Sequence, residues 1–100
     1  MLKDAAAIVG IGETEFARKL APSETSLALE AILAALGDAG IDPGEVDGFA
    51  SYSMETTDEV EVARNIGAGD VTFFSQVGYG GGAGPACVGQ LAMAIALGQC

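Results

Sequence analysis

The sequence predicts an α/β fold, and two observations carry that prediction. Short runs of β-branched and aromatic residues alternate with longer helical patterns, in the order strand, helix, strand, helix, strand, helix. Glycine or a capping residue punctuates most of the junctions. Strands joined through helices pair in parallel, because the crossover returns the chain to the same end of the sheet. The expected architecture is therefore βαβαβα with a mainly parallel sheet.

The first strand is expected over Ala5–Gly12, a short uncharged run containing Ile8, Val9 and Ile11. Glu13 to Leu20 reads as a loop. Ser23 caps the next helix, in which Ala28, Ile32, Ala35 and Ala39 recur at helical spacing and Leu29, Leu33 and Leu36 widen the apolar stripe. Gly40 ends it, and Ile41-Asp42-Pro43-Gly44 turns the chain. The second strand runs from Val46 to Tyr52. Thr56-Thr57-Asp58-Glu59 resembles a capping box, which predicts a short helix from Asp58 to Ile66. Gly67-Ala68-Gly69-Asp70 breaks that helix, and Val71–Val77 is the clearest strand.

A glycine-rich turn follows, Gly78-Tyr79-Gly80-Gly81-Gly82-Ala83-Gly84. Pro85 suits the first turn of the third helix, where its missing N–H costs nothing. From Ala86 to Leu97 this helix has almost no polar face. A helix apolar all round belongs in an interior, so the sequence calls for a second covering layer from further chain or from a partner. Leu97-Gly98-Gln99-Cys100 reads as a helix running into its next element. Residues 1–100 are thus expected to be part of a longer chain.

Composition narrows the function. The formal net charge is −10, from four Lys and Arg against fourteen Asp and Glu. Sequence-independent nucleic-acid binding and docking to anionic membranes both need basic surface, so neither is expected. With no histidine and two cysteines off metal-ligand spacing, no zinc site is expected. Met1-Leu2-Lys3-Asp4 is not a secretory signal. The apolar stretch Ala83–Leu97 is shorter than the ~20 residues that span a bilayer. A cytoplasmic protein is expected.

Four segments carry a family resemblance: Ala7 to Phe16, Ser26 to Gly48, Phe73 to Gly84 and Ala92 to Gly98. Together they resemble the N-terminal part of the thiolase superfamily. The likeness is to the branch of lipid-transfer proteins and thiolase-like acetyl-CoA acetyltransferases related to sterol-carrier thiolases. In ordinary thiolases the turn reads Cys-x-Ser-Gly, and the following helix ends in Ile-x-x-Gly. Anchoring that ending on Ile95-Ala96-Leu97-Gly98 lays the motif on Gly81-Gly82-Ala83-Gly84. Gly81 then stands where the resemblance expects the nucleophilic cysteine.

The resemblance implies a thiolase-like α/β fold with a buried third helix and a coenzyme A thioester as substrate, with no covalently bound cofactor. It also implies a homodimer and, as in some relatives, a small zinc-ribbon and OB-fold partner. Relatives without the cysteine resemble retro-aldolases, which cleave a β-hydroxyacyl-CoA without acylating the enzyme. A retro-aldol lyase is accordingly the expected activity of the intact protein, with Gly80, Gly81, Gly82 and Gly84 lining the acyl-CoA pocket. Helix N-terminal N–H groups there can face a thioester oxygen as its charge grows.

Other readings remain open from the residues. The glycines can instead serve close backbone packing. Gly78-x-Gly80-x-x-Ala83 superficially matches a dinucleotide loop, but follows the third strand rather than the first. Cys87 is a candidate acyltransferase nucleophile with no histidine for a base, or a small core residue. Glu13 and Glu15 are an acid–base pair or solvated loop carboxylates. Tyr79 is a donor to substrate or an interface residue. Cys100 says little. A non-catalytic acyl-CoA or lipid carrier, or a scaffold, is the alternative to an enzyme.

Overall fold

The computed structural model describes residues 3–16, 23–52, 58–78 and 80–100. The capping-box residues Thr56 and Thr57, Tyr79 and the loop residues Arg18, Lys19 and Leu20 lie outside that set. The elements are α1 (Glu24–Ala39), a single 3-10 turn (Pro43–Glu45), β1 (Gly48–Tyr52), α2 (Glu59–Ile66), β2 (Phe73–Val77) and α3 (Ala83–Ala96).

Local chemistry sets most of these boundaries. Ser23 caps α1 by accepting the Ser26 N–H at 3.1 Å. Gly40 ends the helix at φ 69°, a left-handed conformation that glycine adopts without steric cost. The 3-10 turn is closed by a reciprocal cap: Asp42 accepts the Gly44 N–H at 2.8 Å, and Glu45 accepts the Asp42 N–H at 3.1 Å. Asp58 caps α2 by accepting the Val60 N–H at 2.8 Å, and Gly67 ends it at φ 78°. Gly69 is glycine for want of space, since a Cβ there would lie 2.4 Å from the Gly44 carbonyl oxygen.

The sheet has two parallel strands, with Gly48 opposite Phe73 and Tyr52 opposite Val77. Alternation along each strand sends side chains to two faces. On one face Ser51 donates to Glu59 of α2, and α1 packs against α2. On the other, Ser75 bonds to Gln90 of α3, and α3 lies across both strands. The result is three layers, with α1 and α2 on one side and α3 on the other.

One expectation meets a different outcome. Ala5–Gly12 is not a strand among the described residues; residues 6–16 have no regular structure. A strand requires a neighbour whose backbone groups face its own, and β1 and β2 pair with each other. Residues 6–8 of the segment border α3, and residues 10–12 lie along α1, so close that a Cβ on Gly12 would come within 2.1 Å of the Ala31 carbonyl oxygen. The Ile11 N–H is satisfied by Asp38 of α1, at 3.0 Å. The third helix, α3, packs on the sheet with one side open, in line with the sequence. Ala83 and Ala94 are buried, whereas Val88, Met93, Ile95 and Leu97 are exposed. Beyond the sheet, Ala6, Ala7 and Ile8 border a cavity with Val88, Leu91, Ala92 and Ile95, and these α3 side chains are the open side for which the sequence calls for a further layer.

Candidate functional site

β2, the glycine turn and α3 form a strand–turn–helix unit that presents a helix N-terminus. Gly80 sits at φ 146°, a backbone conformation closed to other residues, and its carbonyl accepts the Ala83 N–H at 3.1 Å. The first bond within the helix runs from the Ala86 N–H to the Gly82 carbonyl at 3.0 Å. Pro85 has no N–H. Gly82 provides no side-chain cap, and the first turn holds no acidic residue. The Gly81, Gly82 and Gly84 N–H groups therefore meet no acceptor among the described residues. Such groups, at the positive end of a helix, suit a carbonyl or enolate oxygen.

Packing against the described residues does not require the glycines of this turn. A Cβ built on Gly78, Gly80, Gly81, Gly82 or Gly84 meets nothing within 4 Å. Close backbone approach explains Gly10, Gly12, Gly48 and Gly69 instead, where a Cβ would fall within 3 Å of a neighbouring atom. Only Gly80 is demanded by its φ. The empty space around Gly81, Gly82 and Gly84 is room for something other than this chain's own described residues.

The remaining sequence candidates do not converge on the turn. Cys87 is half-buried one turn into α3, with no hydrogen-bond partner among the described residues and no histidine in residues 1–100. Cys100 packs against β1, where a Cβ on Gly48 would lie 2.8 Å from its Sγ. Burial, and then the negative charge of Asp47, pushes its thiol up from the ordinary range, away from the reactive thiolate. Glu13 and Glu15 are exposed; Glu13 lines a shallow cavity with Ile11, Gly12 and Ala34, with no residue of the turn. No cluster of three or more His, Cys, Asp or Glu able to hold a metal occurs among the described residues.

One feature of the site escaped the sequence reading. Ser75 on β2 donates to the side-chain oxygen of Gln90 on α3, and both are half-buried. The signal for it was available: Gln90 is the sole amide, hydroxyl or charged side chain between Ala83 and Ala96. A lone amide on an apolar helix needs a partner when it faces a sheet.

With this geometry in view, comparison with known proteins places the fold. No family model matches the chain. It is 53% identical over 98 residues to a steroid side-chain-cleaving aldolase of Thermomonospora curvata, a match covering 98% of this chain and 25% of the relative. It is 52% identical, with the same coverage of each, to a 17-hydroxy-3-oxo-4-pregnene-20-carboxyl-CoA lyase of Mycobacterium tuberculosis. Among solved structures, an Ltp2-ChsH2(DUF35) aldolase superposes with a TM-score of 0.89 at 53% identity, over 93% of this chain and 24% of that one. A monomeric SCP2-thiolase-like protein type 1 from Mycobacterium smegmatis superposes with a TM-score of 0.70 at 32% identity, over 88% and 19%. The fold is thus thiolase-like.

The chain belongs to the thiolase superfamily, and the curated relatives it matches are named as an aldolase and a lyase. It spans about a quarter of the length of the curated relatives it matches.

Proposed function

We propose that the intact protein is a retro-aldol lyase that shortens the side chain of steroid-type CoA thioesters. The observation that carries this is the identity of 53% and 52% to an aldolase and a lyase across nearly the whole chain. The position of Gly81 supports it. A thiolase needs a thiol to carry the acyl group, and a lyase does not.

The substrate named for the Mycobacterium tuberculosis relative carries a hydroxyl on the carbon β to its thioester carbonyl. In a retro-aldol cleavage a base removes the proton of that hydroxyl. Its oxygen becomes a ketone as the Cα–Cβ bond breaks. The electron pair of that bond moves into the thioester, leaving an enolate that takes a proton at Cα. The products are a ketone and a shortened acyl-CoA. Charge grows on the thioester oxygen, and this chain's contribution is the N–H groups of Gly81, Gly82 and Gly84, with the open space beside Gly80 receiving the thioester. Donors of this type lower a barrier by about 3–4 kcal/mol each when aimed at the developing oxyanion.

We further propose that residues 1–100 form the N-terminal part of a longer thiolase-like domain, working in the cytoplasm, where its CoA thioester is made and used. A second protein accompanies it, as the two-component name of one solved relative suggests. A homodimer formed through the free edge of β2 is supported by that edge's exposed Phe74, although the Mycobacterium smegmatis relative is described as monomeric. Light scattering of the intact protein decides this, and a monomeric mass at micromolar concentration rejects the dimer.

The direct test is to incubate the intact protein, with and without its partner, with 17-hydroxy-3-oxo-4-pregnene-20-carboxyl-CoA. Release of a ketone and a shortened acyl-CoA is the expected result. Saturable binding without turnover under both conditions would replace the lyase with a carrier.

A further inference from the structure

The strand–turn–helix unit is tied at two heights by side chains. At the base, the Thr72 hydroxyl donates to the Gln99 carbonyl at 2.7 Å, joining the approach to β2 with the chain just after α3. Higher up, Ser75 donates to Gln90, linking the middle of β2 to the middle of α3. On the turn side of that bond Ala83 is buried, but the described glycines add no packing of their own: Cβ positions on Gly78, Gly80, Gly81, Gly82 and Gly84 meet nothing within 4 Å. The glycines themselves give the backbone little stiffness. The angle at which α3 leaves β2 is therefore held by the packing of α3 on the strands together with the upper tie.

We infer that Ser75 and Gln90 are positioning residues for the glycine turn, their hydrogen bond aiming the N–H groups of residues 81–84 at the thioester oxygen. This rests on the proposal that the turn receives the thioester. The pair touches no substrate and acts through α3. Its position suits the task, because the bond lies on the turn side of the Thr72–Gln99 tie and on the face where α3 meets the sheet.

The test uses the intact protein with whatever partner supports turnover, and the CoA thioester named above. Ser75→Ala and Gln90→Leu should each lower kcat about tenfold with KM within about twofold, as small misplacements of positioned groups do. The double variant separates aim from stability. It leaves no polar group unpaired, so its melting temperature should return toward that of the parent. Its kcat should stay as low as that of the poorer single variant, since the aim is lost once. Gln90→Glu keeps an acceptor for Ser75 and should recover most of the rate; should the leucine variant fail to fold, the comparison of Ser75→Ala, Ser75→Thr and Gln90→Glu carries the same test.

A double variant with parental kcat, or single variants that change KM alone, would overturn the inference. Gly82→Val is the control for the underlying reading. If it leaves turnover unchanged, the turn does not receive the thioester and the Ser75–Gln90 bond has nothing to aim. If it abolishes turnover while Ser75→Ala and Gln90→Leu keep theirs, the turn stands and the positioning role falls alone.

Discussion

A protein made of residues 1–100 alone should be loosely packed and dye-binding, and the structure gives the size of the effect. On α3, Val88 is 52% exposed, Met93 44%, Ile95 46% and Leu97 77%. Fully burying such a side chain is worth about 1.5–3 kcal/mol, so four side chains left about half in water forgo roughly 3–6 kcal/mol. That compares with a total stability of about 5–15 kcal/mol for an ordinary domain. Among the described residues the buried apolar core consists of Val62, Ile66, Ala83 and Ala94, and offers little to offset the loss. The assay is fluorescence of a hydrophobic dye together with a calorimetric melt of residues 1–100 and of the intact protein. The short form should bind dye and melt broadly or associate, and the intact protein should do neither. A monomeric short form with a sharp melt, equal calorimetric and van't Hoff enthalpies and no dye binding would refute the reasoning, because it would show that α3 needs no further cover.

Other outcomes follow from individual positions. Gly69→Ala forces a Cβ against the Gly44 carbonyl and should destabilise the intact protein by about 1–3 kcal/mol, seen as a lowered denaturation midpoint. Gly81→Ala meets no atom, so its melt should match the parent while turnover of the CoA thioester falls. Cys87→Ala should leave turnover within a few-fold; a loss of several orders of magnitude with folding intact would restore a thiolase mechanism. Alkylation of Cys100 should reach half its limiting rate at a pH above that of an ordinary thiol, since burial and Asp47 disfavour its thiolate. The sign for stability agrees: a thiol whose pKa is raised by folding favours the folded state below the unfolded pKa. That contribution is lost as pH rises through the folded value, so Cys100→Ser should flatten the alkaline edge of a stability profile.

Elements whose causes are local were legible from the residues alone. Ser23, Asp58, Gly40 and Gly67 bound α1 and α2 through hydrogen bonds and backbone conformations that involve only near neighbours. The turn could be placed, and Gly81 located within it, because glycine content and the Ile95-x-x-Gly98 ending are legible as text. That residues 1–100 hold no histidine needed only the sequence. Tertiary structure decided what depends on distant partners. Ala5–Gly12 has the composition of a strand, yet a strand exists only where another backbone faces it, and here the segment borders α3 and lies along α1. The text does not distinguish a glycine needed for space, such as Gly69, from one with open space around it, such as Gly82; only the neighbours' positions do. The Ser75–Gln90 bond joins residues fifteen apart, and the crossing of α3 over β2 is what brings them together. Capping and turn chemistry act over a few residues, whereas pairing, burial and the aim of a helix depend on how the layers stack.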